Sequence, residues 1–472
     1  MQLFNLEFIV LFFILFWIYW LLCRNKTTQN LLLLIASYAF YAYYDWRCCG
    51  LLLLTSLSAY FAGILLRRGI DEKRWLGKSN RWWTCFGAIV LNLGILGYFK
   101  YTNFFIESIN DFLGSGWSTL NIILPIGISF YTFSSISYIV DCYQRKIEPT
   151  NDLIVGLLYT SFFPAIMSGP IHKATEQLPQ YLQKRDFDYD TVATGFRMYL
   201  WGAFMKLCVA DKLGMYVDAV YGNLSNHTGI TFLLASVLYT LQIYADFAGY
   251  SNMAIGCGKM LGIRLQTNFL RPYFSKTITE FWSKWHMSLT GWFKNYVYFP
   301  LGGNRVNKAR WIGNIMIVFL LSGLWHGAAY TFIIWGGLHG IAQVIEKLVY
   351  GDRIKKIPNR ISIANTLRII LTFSIVSIAW IFFRVPLVND AFQIIGGIVS
   401  KPGDLYMDPS VYIGFLSLMI LIFKDVKDEF GIKFSFLDSK SYLIRHLSYI
   451  MLVAYIILFG SLGAGQFIYF QF

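Results

Sequence analysis

The chain has 472 residues, 56% of them hydrophobic, 18% aromatic and 14% charged, with a mean hydropathy of +0.51. A soluble domain carries about 25% charged residues, so this composition excludes a soluble enzyme with one anchor and points to an integral membrane protein. The net charge of +14 and pI of 9.3 would suit a nucleic-acid binder, but the cations are scattered between apolar runs, so the implied partner is the lipid bilayer and not nucleic acid.

Apolar runs of membrane-crossing length, roughly 17–25 residues, recur from end to end. The first, NLEFIVLFFILFWIYWLLC at 5–23, lacks a positive leader and a small-residue cleavage site, and reads as a retained span rather than a signal peptide. The loop RRGIDEKRWLGKSNR at 67–81 holds six cations, Arg67, Arg68, Lys73, Arg74, Lys78 and Arg81. The positive-inside rule places it in the cytoplasm. Counting outward from it puts the N-terminus outside and the RNK turn at 24–26 inside. The Lys/Arg-free ESINDFLGSGWST at 107–119 then falls outside and YQRKIEPTND at 143–152 inside.

The alternation breaks at 153–171. The segment after it carries Lys173, Lys184 and Arg185. The runs 191–221 and 229–258 lead into a stretch with nine Lys/Arg from Lys259 to Arg310, against the single acid Glu280. Both ends agree if 153–171 enters and leaves on one face, broken around Pro164 and Gly169–Pro170. Irregular backbone at that depth requires protein or a water-filled cavity around it. Beyond that, 311–326 and 327–346 form an out-and-back hairpin, and DRIKKIPNR is inside. The run 368–384 crosses outward, VNDAFQIIGGIVSKPGDLYMD lies outside, 410–423 returns, and the last run ends outside at FIYFQF. The expected fold is an all-α polytopic membrane protein, one domain over 1–472. It has about 11–12 transmembrane helices, a re-entrant segment and interfacial helices around a central tunnel.

Within the basic stretch, TITEFWSKWHMSLTGWFKNYVYFPLGGNR at 277–305 spaces Phe281, Trp282, Trp285, Trp292 and Phe293 at roughly helical intervals. This is the pattern of helices lying in the interface with the apolar face down. A cytoplasmic surface of this kind, with Lys284, His286, Lys294 and Asn295, also suits a phosphorylated carrier such as coenzyme A. PLGG at 300–303 is a turn signal and not a phosphate loop. Ionisable residues in predicted spans are functional candidates because their insertion is costly; Lys206, Asp211, Asp246 and Arg384 qualify, and each could instead be a structural ion-pair partner.

His172 follows the Gly-Pro break and could line the cavity, whereas His227 and His446 lie at predicted loop or span boundaries. His326 follows about fifteen apolar residues, which places it deep in the membrane or toward the outer side. A buried neutral imidazole there either packs or accepts a proton from a hydroxyl attacking a thioester. His339 lies thirteen residues further on, with no nearby carboxylate, so no metal is expected. The seven cysteines, at 23, 48, 49, 85, 142, 208 and 257, show no CxxC spacing and indicate neither a disulfide framework nor a zinc site. No GxSxG elbow is present.

Several segments together resemble the membrane-bound O-acyltransferase superfamily, in its bacterial branch that O-acetylates alginate and peptidoglycan. They are LPIGISFYTFSSISYIVDCY (124–143), FFPAIMSGPI (162–171), ADFAGYSNMAIG (245–256), NFLRPYFSKTITEFWSKWHMSLTGWFKNYVYFPLGGNR (268–305), GLWHGAAYTFIIWGGLHG (323–340), WIFFR (380–384) and the terminal FIYFQF. The resemblance implies a cytoplasmic acyl donor, acetyl-CoA as substrate and no permanently bound cofactor, with a tunnel leading to an acceptor outside the bacterial inner membrane. It matches the family's essential histidine, in Trp325-His326-Gly327, to His326 and its second histidine to His339. His172, Asp246, Asn252 and Trp325 become tunnel or supporting residues. Asn252 stands where relatives usually carry aspartate, and Lys294–Asn295 replaces Arg-Asp. The acetylating systems commonly add a separate extracytoplasmic O-acetyltransferase, which is the implied protein partner. A teichoic-acid D-alanyl transferase fed by a carrier-protein thioester is the nearest alternative. A non-enzymatic export subunit is the other, weakened by the lack of inverted repeats.

Overall fold

Backbone groups in lipid have no water to bond, so an apolar run must close its own hydrogen bonds as a helix. The computed structural model describes residues 2–67, 74–75, 77–351, 362–400, 402–409, 411–433, 437–461 and 468, and these are helical nearly throughout. Arg68 and Lys73 of the first basic loop, all of DRIKKIPNR, and FIYFQF apart from Ile468 lie outside the described residues. The chain forms two compact units, Met1–Tyr199 with Met253–Gln266, and Leu200–Asn252 with Thr267–Phe472.

The first unit holds α1 (Leu6–Leu22), α2 (Lys26–Asp45), α3 (Cys49–Arg67), α4 (Asn80–Leu96), α5 (Thr102–Leu113) and α6 (Ile128–Tyr143), followed by short α7 (Leu153–Ser161), α8 (Phe163–Ile166) and α9 (Ala174–Tyr181). Its one sheet among the described residues is a hairpin of Arg74–Trp75 against Lys78–Ser79. Side-chain caps fix the helix starts: Asn25 and Thr28 form a capping box at α2, and Asp152 accepts from the Ile154 and Val155 amides at α7. The chain passes between units within α10 (Tyr189–Phe204) and α12 (Gly229–Met260). The second unit adds α11 (Asp211–Tyr221), α13 (Ile278–Lys284), α14 (Met287–Phe293), α15 (Lys308–His326), α16 (Tyr330–Tyr350), α17 (Ile363–Arg384), α18 (Val388–Ser400), α19 (Val411–Phe430) and α20 (Tyr442–Phe459).

The protein is an all-α polytopic membrane protein. Among the described residues, six helical segments are long and apolar enough to cross a membrane: Lys26–Arg67, Asn80–Leu113, Gly229–Met260, Tyr330–Tyr350, Ile363–Arg384 and Tyr442–Phe459. Leu6–Leu22 and Leu153–Ile166 are shorter apolar helices.

The predicted break in 153–171 is present. Nine- and four-residue helices meet at Phe162 (φ −52°, ψ 108°), Pro164 sits in the first turn of α8, and 167–173 is irregular. Pro starts a helix without needing its missing amide. The whole of 162–172 is buried, and side chains satisfy its freed backbone. Ser37 Oγ accepts from the Phe163 amide at 3.1 Å, and the Tyr159 hydroxyl donates to the His172 carbonyl at 3.0 Å.

Two expectations change. The aromatics of 277–305 are packed inside the protein instead of forming an outward apolar face. Phe281, Trp282, Trp285, Trp292 and Phe293 are all buried, because the stretch folds back at His286 between two seven-residue helices. The segment from Val388, read as an outside loop, begins with a 13-residue helix. The hairpin at 311–346 is present as α15 and α16, and its helices meet through glycine. A Cβ on Gly323 would overlap the Phe332 carbonyl, and one on Gly336 the Phe319 carbonyl. Likewise, in the small-residue run around Asp246, a Cβ on Gly249 would sit 2.8 Å from the Gly202 carbonyl.

Gly337, next to Gly336, has only an ordinary 3.7 Å neighbour in Leu320. Gly336→Ala is therefore expected to lower the thermal midpoint of the detergent-solubilised protein by about 1–3 kcal/mol of overpacking. Gly337→Ala should leave that midpoint unchanged or raise it. Equal midpoints for the two variants would contradict the close approach of α15 and α16.

Candidate active site

His326 is the last residue of α15. Gly327 follows in an extended conformation (φ −158°, ψ 151°), which ends the helix and leaves the imidazole buried at its tip. On α16, Trp335 and His339 are four residues apart and so share one face. The Trp335 ring touches both histidines, with centroids 5.0 Å from His326 and 5.0 Å from His339. Phe383 of α17 packs edge-on to His326 at 5.2 Å, and Trp380 stacks on Trp335 at 5.4 Å.

A third histidine joins them. His286 takes a left-handed conformation (φ 41°) between α13 and α14 and is fully buried, 6.4 Å from the His326 ring and 4.7 Å from Phe247. Its Nδ1 lies 3.4 Å from Asn268 Oδ1, which also accepts from the Ser288 amide at 3.2 Å. An oxygen fixed as an acceptor requires His286 Nδ1 to donate. Burial pushes this imidazole down to about 3, so it is neutral and its Nε2 carries a lone pair. His286 Nε2 has no hydrogen-bond partner among the described residues. His339 is held differently: the Trp282 indole donates to its Nδ1 at 3.3 Å, and Phe281 stacks on it with rings 4° from parallel. Among the described residues, the rings packed on these histidines are aromatic, a setting shielded from bulk water.

The other candidates separate into distinct settings. Asp246 belongs to a buried ion cluster: Lys206 Nζ lies 2.6 Å from Asp246 Oδ1 and 2.8 Å from Asp211 Oδ1. Lys206 sits on a π-helical turn, Met205–Ala210, and Asp246 Oδ2 accepts from the Ile468 amide at 2.9 Å. Arg384 forms a partly exposed pair with Asp218 at 2.6 Å. Asn252 Nδ2 is 3.6 Å from Met205 Sδ, and Trp325 packs 6.0 Å from His286. His172 lies in the first unit, buried, with Nδ1 3.3 Å from the Tyr159 carbonyl.

Lys284, read as part of a donor surface, is taken up by Glu280 at 3.0 Å and Glu429 at 3.1 Å. Lys294 is exposed, its Nζ 5.6 Å over Phe299, and shares a π-helical turn with half-buried Asn295. His286, placed on that surface by the sequence, is in the histidine chamber instead. Reasoning from sequence did not single out Trp335, Trp282 as a hydrogen-bond donor, or Asn268. Only Trp335 left a signal, its four-residue spacing from His339.

These features define a membrane protein with three histidines buried among aromatic rings. The profile described as "MBOAT, membrane-bound O-acyltransferase family" matches residues 151–385, which include all three chamber histidines. The protein named "Probable alginate O-acetylase AlgI" of Pseudomonas aeruginosa is 40% identical over 360 residues, 75% of this chain and 67% of the relative. The "Peptidoglycan O-acetyltransferase" of Helicobacter pylori is 32% identical over 406 residues, 80% of this chain and 75% of the relative. The "Teichoic acid D-alanyltransferase" of Bacillus subtilis is 29% identical over 275 residues, 56% of this chain and 69% of the relative. The chain belongs to the membrane-bound O-acyltransferase family and is an O-acyltransferase.

Removing Lys206 would strand two buried carboxylates, whereas Arg384 pairs at the surface. Lys206→Met is expected to cost about 3–5 kcal/mol of stability, and Arg384→Met about 1 kcal/mol or less. Thermal unfolding of the two variants side by side checks the difference.

Proposed function

We propose that this protein moves acetyl from cytoplasmic acetyl-CoA across the bacterial inner membrane, as one integral domain, for O-acetylation of an extracytoplasmic polysaccharide such as alginate or peptidoglycan. The observation that carries the reading is His326, buried at the end of α15 among aromatic rings. The acetyltransferase names of relatives up to 40% identical support it. In the reaction, the acceptor hydroxyl adds to the thioester carbonyl as His326 takes its proton. The new C–O bond forms, the C–S bond breaks, and the proton passes to the departing thiolate, giving ester and free thiol. The donor approaches the cytoplasmic basic face, where Lys294 is among the exposed cations. His339, Trp325 and Asn252 act along the path of transfer, with Asp246 supporting it. A separate extracytoplasmic O-acetyltransferase completes delivery to the polysaccharide. The D-alanyl reading, with a carrier-bound thioester as donor, is favoured only by relatives of lower identity and coverage.

His326→Ala, expressed at the normal level, is expected to abolish ester-linked acetate on the envelope or exported glycan. Unchanged acetylation would remove His326 from catalysis. Lys294→Glu should raise the KM for acetyl-CoA several-fold at low salt and lose that effect at high salt. Supplying labelled acetyl-CoA and a carrier-bound D-alanyl thioester to the purified protein separates the two donors, and consumption of the second alone would overturn the acetyl reading.

A further inference from the structure

Trp282 and His339 fix a proton. An indole N–H can donate but not accept, so the 3.3 Å bond from Trp282 Nε1 makes His339 Nδ1 the acceptor. A neutral imidazole with an unprotonated Nδ1 carries its hydrogen on Nε2. That Nε2 is buried and has no hydrogen-bond partner among the described residues. His339 also lies between stacked Phe281 (6.1 Å) and Phe319 (6.4 Å), which hold the ring against rotation. Among the described residues no carboxylate is seen to contact it, so a charged imidazolium would lack compensation.

We propose that His339 is not a second base but a hydrogen-bond donor, whose Nε2–H engages the carbonyl oxygen of the acyl group under transfer, with Trp282 as the positioning residue that sets its tautomer. The proposal rests on the acyl-transfer reading above, in which His326 is the base. As the hydroxyl adds, negative charge grows on the carbonyl oxygen, and a fixed N–H directed at it stabilises the addition step without giving up its proton. Collapse of the adduct re-forms the C=O bond from that oxygen's electron pair and expels the C–S pair on the departing thiolate, so His339 ends the cycle as it began. The two roles use opposite ends of imidazole chemistry, a lone pair at His326 and an N–H at His339. Trp335, in contact with both rings, separates them.

The tautomer is read directly by nitrogen NMR of the full-length, histidine-labelled protein in lipid bilayers, with the His339 signals assigned by their loss in His339→Gln. Wild type should show Nδ1 unprotonated and Nε2 protonated, and Trp282→Phe, which keeps the ring and deletes the N–H, should mix the tautomers. A proton on wild-type Nδ1, a charged ring, or an unchanged spectrum in Trp282→Phe would overturn the proposal. In transfer assays, His339→Leu should lower kcat ~100-fold with little change in donor KM. His339→Gln, whose amide N–H falls near the place of Nε2–H, should recover much of that loss, and His339→Asn, whose amide mimics Nδ1, should not. Equal loss in the Gln and Leu variants would refute a donor role. The resting-state spectrum needs no substrate, so failure of the His326 reading, seen as transfer surviving in His326→Ala, is distinguishable from failure of this one.

Discussion

The close approach of α15 and α16 is the constraint on which the chamber depends. Helices that meet through small residues can bring their backbones into close contact, which favours packing. Gly323 and Gly336 permit that contact, since a methyl group at either would overlap a carbonyl of the other helix. The consequence is chemical as well as mechanical. With the helices this close, one indole, Trp335, contacts a histidine on each, and neither ring is left to rotate in a loose cavity.

Charge is kept apart from this chamber. The second unit buries one lysine and two aspartates as a cluster at Lys206, and pairs Lys284 and Arg271 with Glu429, yet the rings around His326 and His339 are aromatic. A carboxylate beside a buried histidine would favour imidazolium, which is useless as a base. A neutral aromatic lining does the reverse. Asp246 pairs with Lys206, while its neighbour in sequence, Phe247, meets the His286 imidazole at 4.7 Å.

Much of this was legible in the sequence, and the reasons differ by feature. The helices were, because length and hydropathy alone decide which runs cross lipid. So was the break at 153–171, because Pro164 and Gly169–Pro170 leave few other conformations and the charges on either side disagreed with a crossing. The hairpin of α15 and α16 followed from spacing. His286 was misplaced because a helical projection carries its aromatic neighbours to one outer face, whereas a left-handed residue at His286 itself folds the stretch inward. Lys284 was misread for a related reason. Its partner Glu429 is 145 residues away, and no local pattern reveals such a pair. Hydrogen-bond partners such as Asn268 and Trp282 are invisible to spacing altogether, since they come from separate elements.

That last gap matters because hydrogen-bond partners, and not residue types, determine what a histidine does. His286 and His339 each lie in an aromatic run, and the fold buries both. Their partners make them opposites. Asn268 Oδ1, already fixed by the Ser288 amide, draws the proton of His286 to Nδ1 and leaves a lone pair at Nε2. Trp282 holds a lone pair at His339 Nδ1 and leaves an N–H at Nε2. A site with an acceptor nitrogen on one side of His326 and a donor nitrogen on the other is polarised without containing a charge. Such an arrangement suits a hydroxyl that must lose a proton and a carbonyl that must gain electron density. Fixed N–H and lone-pair dipoles act most strongly where water cannot screen them.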